Sequence, residues 1–93
     1  MAMALAELIE QARRQLGRLT GLALGSTVSV RKQDRRWRLR VEVVEKKSVP
    51  DSQDLLATYD LAVDEEGRVM DFSRIGMRRR MDPVTVGADE STN

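Results

Sequence analysis

The 93-residue chain contains no cysteine and no histidine, and only three aromatic residues and two prolines. Without cysteine there are no disulfides and no thiolate metal sites to staple the fold. Without histidine, the commonest general base near neutral pH and the commonest metal ligand are both missing. One Trp, one Tyr and one Phe offer little from which to build a stacking platform for bases. No apolar run approaches the 18 or more residues of a membrane span. The opening "MAMALAELIEQARRQLGRL" has neither the basic start nor the long apolar centre of a signal peptide. These absences lead us to expect a soluble cytoplasmic chain with no cofactor, no metal and no membrane partner.

What the sequence has is charge, at 33% of residues, with a net value of only +1. The charge is unevenly spread. Residues 31–47 carry eight Lys/Arg against three acids, and residues 74–80 carry four arginines and no acid. Residues 51–71 hold seven acids against one arginine. Such a dipolar surface suits docking of a partner better than coating of a polyanion. The length allows one domain, which buries roughly 60–65% of its unfolded surface. We place that domain at residues 1–81 and expect a frayed tail over 82–93, where apolar groups are few.

The hydrophobic period divides the chain. Leu5, Leu8, Ile9, Ala12, Leu16 and Leu19 recur at spacings of three and four, which predicts an amphipathic helix over residues 3–19. Gly21 supplies its stop. "GLALGS" reads as a connector, and from "TVSVRK" onward the period is two. "QDRR" reads as a turn. In "RWRLRVEVVE", Trp37, Leu39, Val41 and Val43 share one face, while Arg36, Arg38, Arg40 and Glu42 share the other. A third strand begins at Leu55, "DEEG" is a turn, and "RVMDFSRIG" is a fourth strand. The adjacent Val69 and Met70 there imply either a bulge or a strand used on both sides. The fold class is therefore α+β: one N-terminal helix packed on a four-stranded antiparallel sheet in two layers.

Candidate chemistry is sparse. Asp51, Asp54, Asp60, Asp64, Glu65, Glu66 and Asp71 lie in turns and on a polar strand face, and read as solvated acids. General acid–base work needs two carboxylates in different environments, and "DEEG" lacks the ligand ladder of a calcium loop. No serine has a base beside it, and "GLALGS" has no lysine for a phosphate loop. We expect no enzyme.

The row Arg36, Arg38, Arg40 is the stronger signal, since alternate strand residues point the same way about 7 Å apart. It is open to three readings: a solubilising face, a protein-docking surface, or forks for nucleic-acid phosphates. Lys46 and Lys47 extend it, and Arg74 with Arg78, Arg79 and Arg80 adds a second basic run. "MRRRM" either continues the last strand or begins the tail, and its charge would also blunt an exposed edge. The joint "SVPDSQD" is too long for a tight hairpin. Pro50 fixes its own φ and keeps Val49 extended. The joint is either a semi-rigid arm that reads a partner, with Leu55 and Leu56 pinning its far end, or a plain corner connection.

Residues 37–80 carry a resemblance. A tryptophan opens a strand at Trp37, "VEVVE" follows at 41–45, and a proline at Pro50 precedes an acidic joint at 51–54. "LLA" with Tyr59, the "DEEG" turn and a closing arginine-rich strand at 74–80 complete the order. This combination resembles the gas vesicle protein O family (GvpO). That family usually closes on an arginine–tyrosine step, whereas this chain reads "MRRRM".

The resemblance implies an accessory protein needed for gas vesicle assembly or its regulation. Its high charge independently argues against a gas-facing wall. The partners so implied are other gas vesicle proteins, wall or accessory, met through protein–protein contacts at Arg36, Arg38, Arg40, Lys46, Lys47, Pro50, Arg74, Arg78, Arg79 and Arg80. The location implied is the cytoplasm, with association to vesicles. The alternative is a nucleic-acid-binding regulator of vesicle genes using the same arginines. A small-ligand pocket under the helix is a third and poorer reading. The exposed strand edges are compatible with a monomer or a homodimer.

Overall fold

The computed structural model describes residues 3–82. Apart from Asp82, the expected tail lies outside the described residues. Helix α1 spans Leu5–Thr20, one residue beyond the expected end, and stops at Gly21. Gly21 takes a left-handed φ of 72°, and its amide donates to the Gly17 carbonyl. Glycine adopts this conformation without a Cβ penalty, which is why the helix ends there.

Four strands follow: β1 Ala23–Gln33, β2 Arg36–Lys46, β3 Leu55–Val63 and β4 Val69–Arg79. They form one antiparallel meander in the order β1-β2-β3-β4. The two-layer α+β expectation therefore holds, with three adjustments. Most of the expected connector, from Ala23 to Ser26, is already strand. Its four apolar or small residues hide the period of two, and two register shifts between Leu24 and Ser29 break it further. Gly25 permits the irregularity, since a Cβ there would stand 3.0 Å from the Glu42 carbonyl oxygen. On β4, Val63 faces Val69 while Ala62 faces Asp71, so Met70 is the extra residue of a bulge. That decides between the two readings of the Val69–Met70 pair. A second bulge at Ile75 carries the strand on through Arg79, so most of "MRRRM" is strand.

The hairpins close as their sequences direct. Gln33 pairs with Arg36, leaving Asp34 and Arg35 as a two-residue loop, and Asp34 takes φ 59°. At the other hairpin the Asp64 carboxylate accepts from the amides of Glu66 and Arg68 at 2.9 Å each. Burial pushes the Asp64 carboxyl up, but these amides and the Arg68 guanidinium outweigh it and hold the group below its usual range.

Helix α1 is tied to both ends of the strand order. In its second half, Gln15 donates to the Gly67 carbonyl at 2.6 Å and accepts from the Val69 amide at 3.0 Å. Arg13 donates to the Thr27 hydroxyl at 3.0 Å, on β1. Under the helix lie Leu39, Val41, Val43, Ala57, Leu61 and Val63, sealed by Leu8, Ala12 and Leu16. Each buried aliphatic side chain contributes about 1.5–3 kcal/mol. We call this the helix side of the sheet, and the other the open side. The corner of the helix side along β4 is not covered.

Candidate functional site

Cross-strand partners share a face, so the register assigns every charged side chain to a side. On the open side, Ser29, Arg31 and Gln33 of β1 stand opposite Arg40, Arg38 and Arg36 of β2. Asp60 and Ala62 of β3 lie opposite Arg40 and Arg38. The arginine row is therefore real, and Arg31 widens it. Two of its members are drawn inward: Arg38 meets Asp60 at 3.2 Å and Arg40 meets it at 3.6 Å. Among the described residues, Arg31, Arg35 and Arg36 have no acid within 4.0 Å. Residues 33–38 and Ala62 line a groove of about 500 Å³ at this hairpin end.

The second basic run behaves differently. Arg78 forms a bidentate pair with Glu42, at 2.7 and 3.0 Å. Its remaining nitrogen donates to the carbonyls of Arg79, Arg80 and Asp82. Glu42 is only 4% exposed. It sits on the arginine-bearing face but is spent on β4, not on its neighbours in the row.

Arg80 and Lys47 both turn to Asp54, at 3.0 and 3.2 Å. Asp54 was expected to be a solvated turn acid, and this is corrected: its side chain is fully buried. The Ser48 amide donates to it at 2.8 Å. That bond, opposed by burial and aided by Arg80 and Lys47, holds the Asp54 carboxyl below its usual range. Thus Lys47, Arg78 and Arg80 are structural ties. Lys46 and Arg79 are exposed, and Arg74 stands 4.0 Å from Glu45.

Asp54 also explains the long joint. The segment folds into a 3-10 turn, Asp51–Gln53, after a cis Val49–Pro50 bond. The amides of Arg80 and Met81 donate to the carbonyls of Asp54 and Ser52, at 2.8 and 3.0 Å. The joint is thereby fastened to the end of β4, and Leu56 is buried behind it. Val49 is 99% exposed at its tip, beside the expected Pro50.

One apolar strand escaped the sequence reading. Met70, Phe72, Ile75 and Met77 of β4, with Met81 just beyond, are 37–62% exposed. The register places Phe72 and Met77 on the helix side, and Met70 and Ile75 are the bulge residues. Tyr59 lies under Phe72, with ring centroids 6.2 Å apart. The signal that could have found this strip is geometric: one 16-residue helix cannot cover four strands of nine to eleven residues. Among the described residues no cluster of acids is placed to hold a metal ion. None of their helices is long and apolar enough to cross a membrane.

A family model described as gas vesicle synthesis protein GvpO matches residues 1–82. The chain belongs to that family. Membership ties it to gas vesicle formation. It is 38% identical over 61 residues to gas vesicle protein O of a Streptomyces species (strain CB03234), covering 66% of this chain and 48% of the relative. It is 41% identical over 49 residues to gas vesicle protein O1 of Halobacterium salinarum, covering 53% and 41%. With gas vesicle protein O of Haloferax mediterranei the identity is 39% over 46 residues, covering 50% and 33%. The matched segments span less than half of each relative. Comparison with solved structures finds no match.

Proposed function

We propose that the chain is an accessory protein of gas vesicle assembly, acting through contacts with other vesicle proteins and not as part of the wall. The observation that carries this reading is the uncovered apolar strip on β4. Exposed apolar surface gathered on one element, with arginines around it, marks a place where proteins meet. The family to which the chain belongs supplies the setting. The reading calls for no catalysis and no cofactor, and places the work in the cytoplasm where vesicles are built. A homodimer through β4 would bring Arg74 and Arg79 of two copies together, so like charge favours a different chain as the partner.

The arginine row supports a second reading, a nucleic-acid-binding regulator. Against it, Trp37 points to the helix side, where Lys32 lies 5.6 Å from its ring, so no base can stack beside the row. The test is a pull-down with tagged protein from a nuclease-treated extract of vesicle-forming cells. Wild type is compared with the double variant Phe72→Ser/Met77→Ser, whose melting temperature should match. Capture of vesicle proteins by wild type and loss in the variant is the expected result. Undiminished capture by the variant removes β4 as the surface. An empty eluate, with nucleic acid recovered when nuclease is omitted, moves the assignment to the regulator.

A further inference from the structure

The hairpin end of the open side carries an excess of positive charge that the fold does not use. Arg31 and Arg38 face each other directly across β1 and β2, and like charges so placed destabilise a sheet. Arg36 and Arg40 stand to either side of Arg38 on β2, and Arg35 lies in the loop. Asp34 at the loop and Asp60 on β3 lie beside these five arginines, Glu42 next along β2 is spent on Arg78, and Asp71 stands one strand beyond Ala62 on the same face. Asp60 is shared between Arg38 and Arg40, and the latter approaches only to 3.6 Å. Elsewhere on the same face the chain matches charge closely, as Arg78 with Glu42 shows. The contrast marks the unmatched cluster as a surface for something outside the chain.

We infer that this cluster is a second binding site, distinct from β4, for an extended acidic segment of a partner protein. Charge complementarity selects the acid. Spacing selects the extended form: guanidiniums on alternate strand residues repeat about every 7 Å, the same interval as alternate side chains of an extended peptide. A segment with a carboxylate at every second position lays them along Arg36, Arg38 and Arg40. Arg31 reaches the same line from β1, and the groove beside residues 33–38 gives its backbone a seat. Guanidinium forks are suited to hold carboxylates in pairs. The lack of an aromatic on this face favours carboxylates over nucleotides.

The test uses an eight-residue blocked peptide of alternating glutamate and serine as the probe, with its glutamine–serine counterpart and a twelve-base-pair DNA duplex as comparisons. Binding to the whole chain is followed by fluorescence anisotropy at low salt, in wild type and in Arg31→Gln/Arg38→Gln. The expected result is binding of the glutamate peptide alone, weakened about tenfold or more by the loss of the two charges, which is about 1.4 kcal/mol per decade. Removal of Arg31 relieves a repulsion, whereas loss of Arg38 gives up its pair with Asp60 at 3.2 Å. The melting temperature of the variant is therefore measured beside wild type, and binding is compared well below both midpoints. Failure of the glutamate peptide to bind wild type overturns the proposal, as does binding that the variant leaves unchanged. Tighter binding of the duplex through the same arginines also overturns it, in favour of nucleic acid. None of these outcomes bears on β4, which the pull-down tests separately.

Discussion

Replacing Arg78 by methionine removes the counter-charge of a carboxylate that is 4% exposed. It also removes the donor to the carbonyls of Arg79, Arg80 and Asp82. Taking one partner from a buried ion pair costs about 3–5 kcal/mol, because the charge left behind is neither solvated nor matched. The Arg78 side chain is one-fifth exposed, so some water reaches the vacated site, and we place the cost near the lower end, about 3 kcal/mol. A domain of this length has roughly 5–14 kcal/mol in all. At about 4–8 °C per kcal/mol, the melting temperature should fall by about 12–24 °C.

The companion variant Glu42→Leu/Arg78→Met removes both charges and both desolvation penalties, and should recover to within about 1 kcal/mol of wild type. Urea unfolding followed by far-ultraviolet circular dichroism reads both. A loss under about 1 kcal/mol for the single variant would class the pair with ordinary surface salt bridges and refute the argument. So would a double variant no more stable than the single one. Because Arg78 is a tie within the fold, a loss of partner capture in Arg78→Met would have to be judged against this loss of stability.

Leu61→Ala empties the centre of the core under the helix and should cost about 3–5 kcal/mol, read as a shift in urea midpoint; a cost below 1 kcal/mol would mean the helix is not seated there. Gly25→Val brings side-chain carbon against the Glu42 carbonyl and should cost about 1–3 kcal/mol, whereas a neutral outcome would show that the β1 bulge can relax. Asp54 ionises more readily folded than unfolded. Its contribution to stability is therefore present above the unfolded carboxyl value, about 3.9, and fades as pH falls through the lower folded value. Acid titration followed by circular dichroism should show a shallower loss of stability below pH 4 in Asp54→Asn than in wild type, and equal slopes would deny the buried carboxylate its part.

The architecture was legible because its signals were periodic. The helix stripe, the Trp37–Val43 alternation and the Gly21 stop each depend on local sequence alone, and each lies where expected except at the ends of the stripe, where Leu5 and Leu19 are exposed. The start of β1 was not legible, since alanine, leucine, glycine and serine carry no alternation once bulges interrupt it. Asp54 was misread because nothing local separates a buried turn acid from a solvated one. The donors that decide the matter come from Ser48, Lys47 and Arg80, the last 26 residues away. In the basic run at residues 78–80 the partners of Arg78 and Arg80 were equally illegible, since composition counts a charge without showing what it meets. Of the expected surface, the arginine row kept its face and gained Arg31 and Arg35, while Arg78 is drawn in by Glu42 and the exposed Lys47 and Arg80 are paired with Asp54. The strip on β4 depends on the path of the helix across the sheet, which no window of sequence contains.

The tethering of residues 48–54 bears on how Val49 would meet anything. Fixing a backbone costs roughly 1–2 kcal/mol per residue, and in a loose loop that entropy is surrendered at the moment of contact. Here the Asp54 carboxylate and the amides of Arg80 and Met81 impose the order while the domain folds. Val49 is offered as a rigid point, and a socket that accepts it gains the full benefit of its shape. A segment open from sequence to being a semi-rigid arm or a plain corner is thereby a fastened projection of the surface.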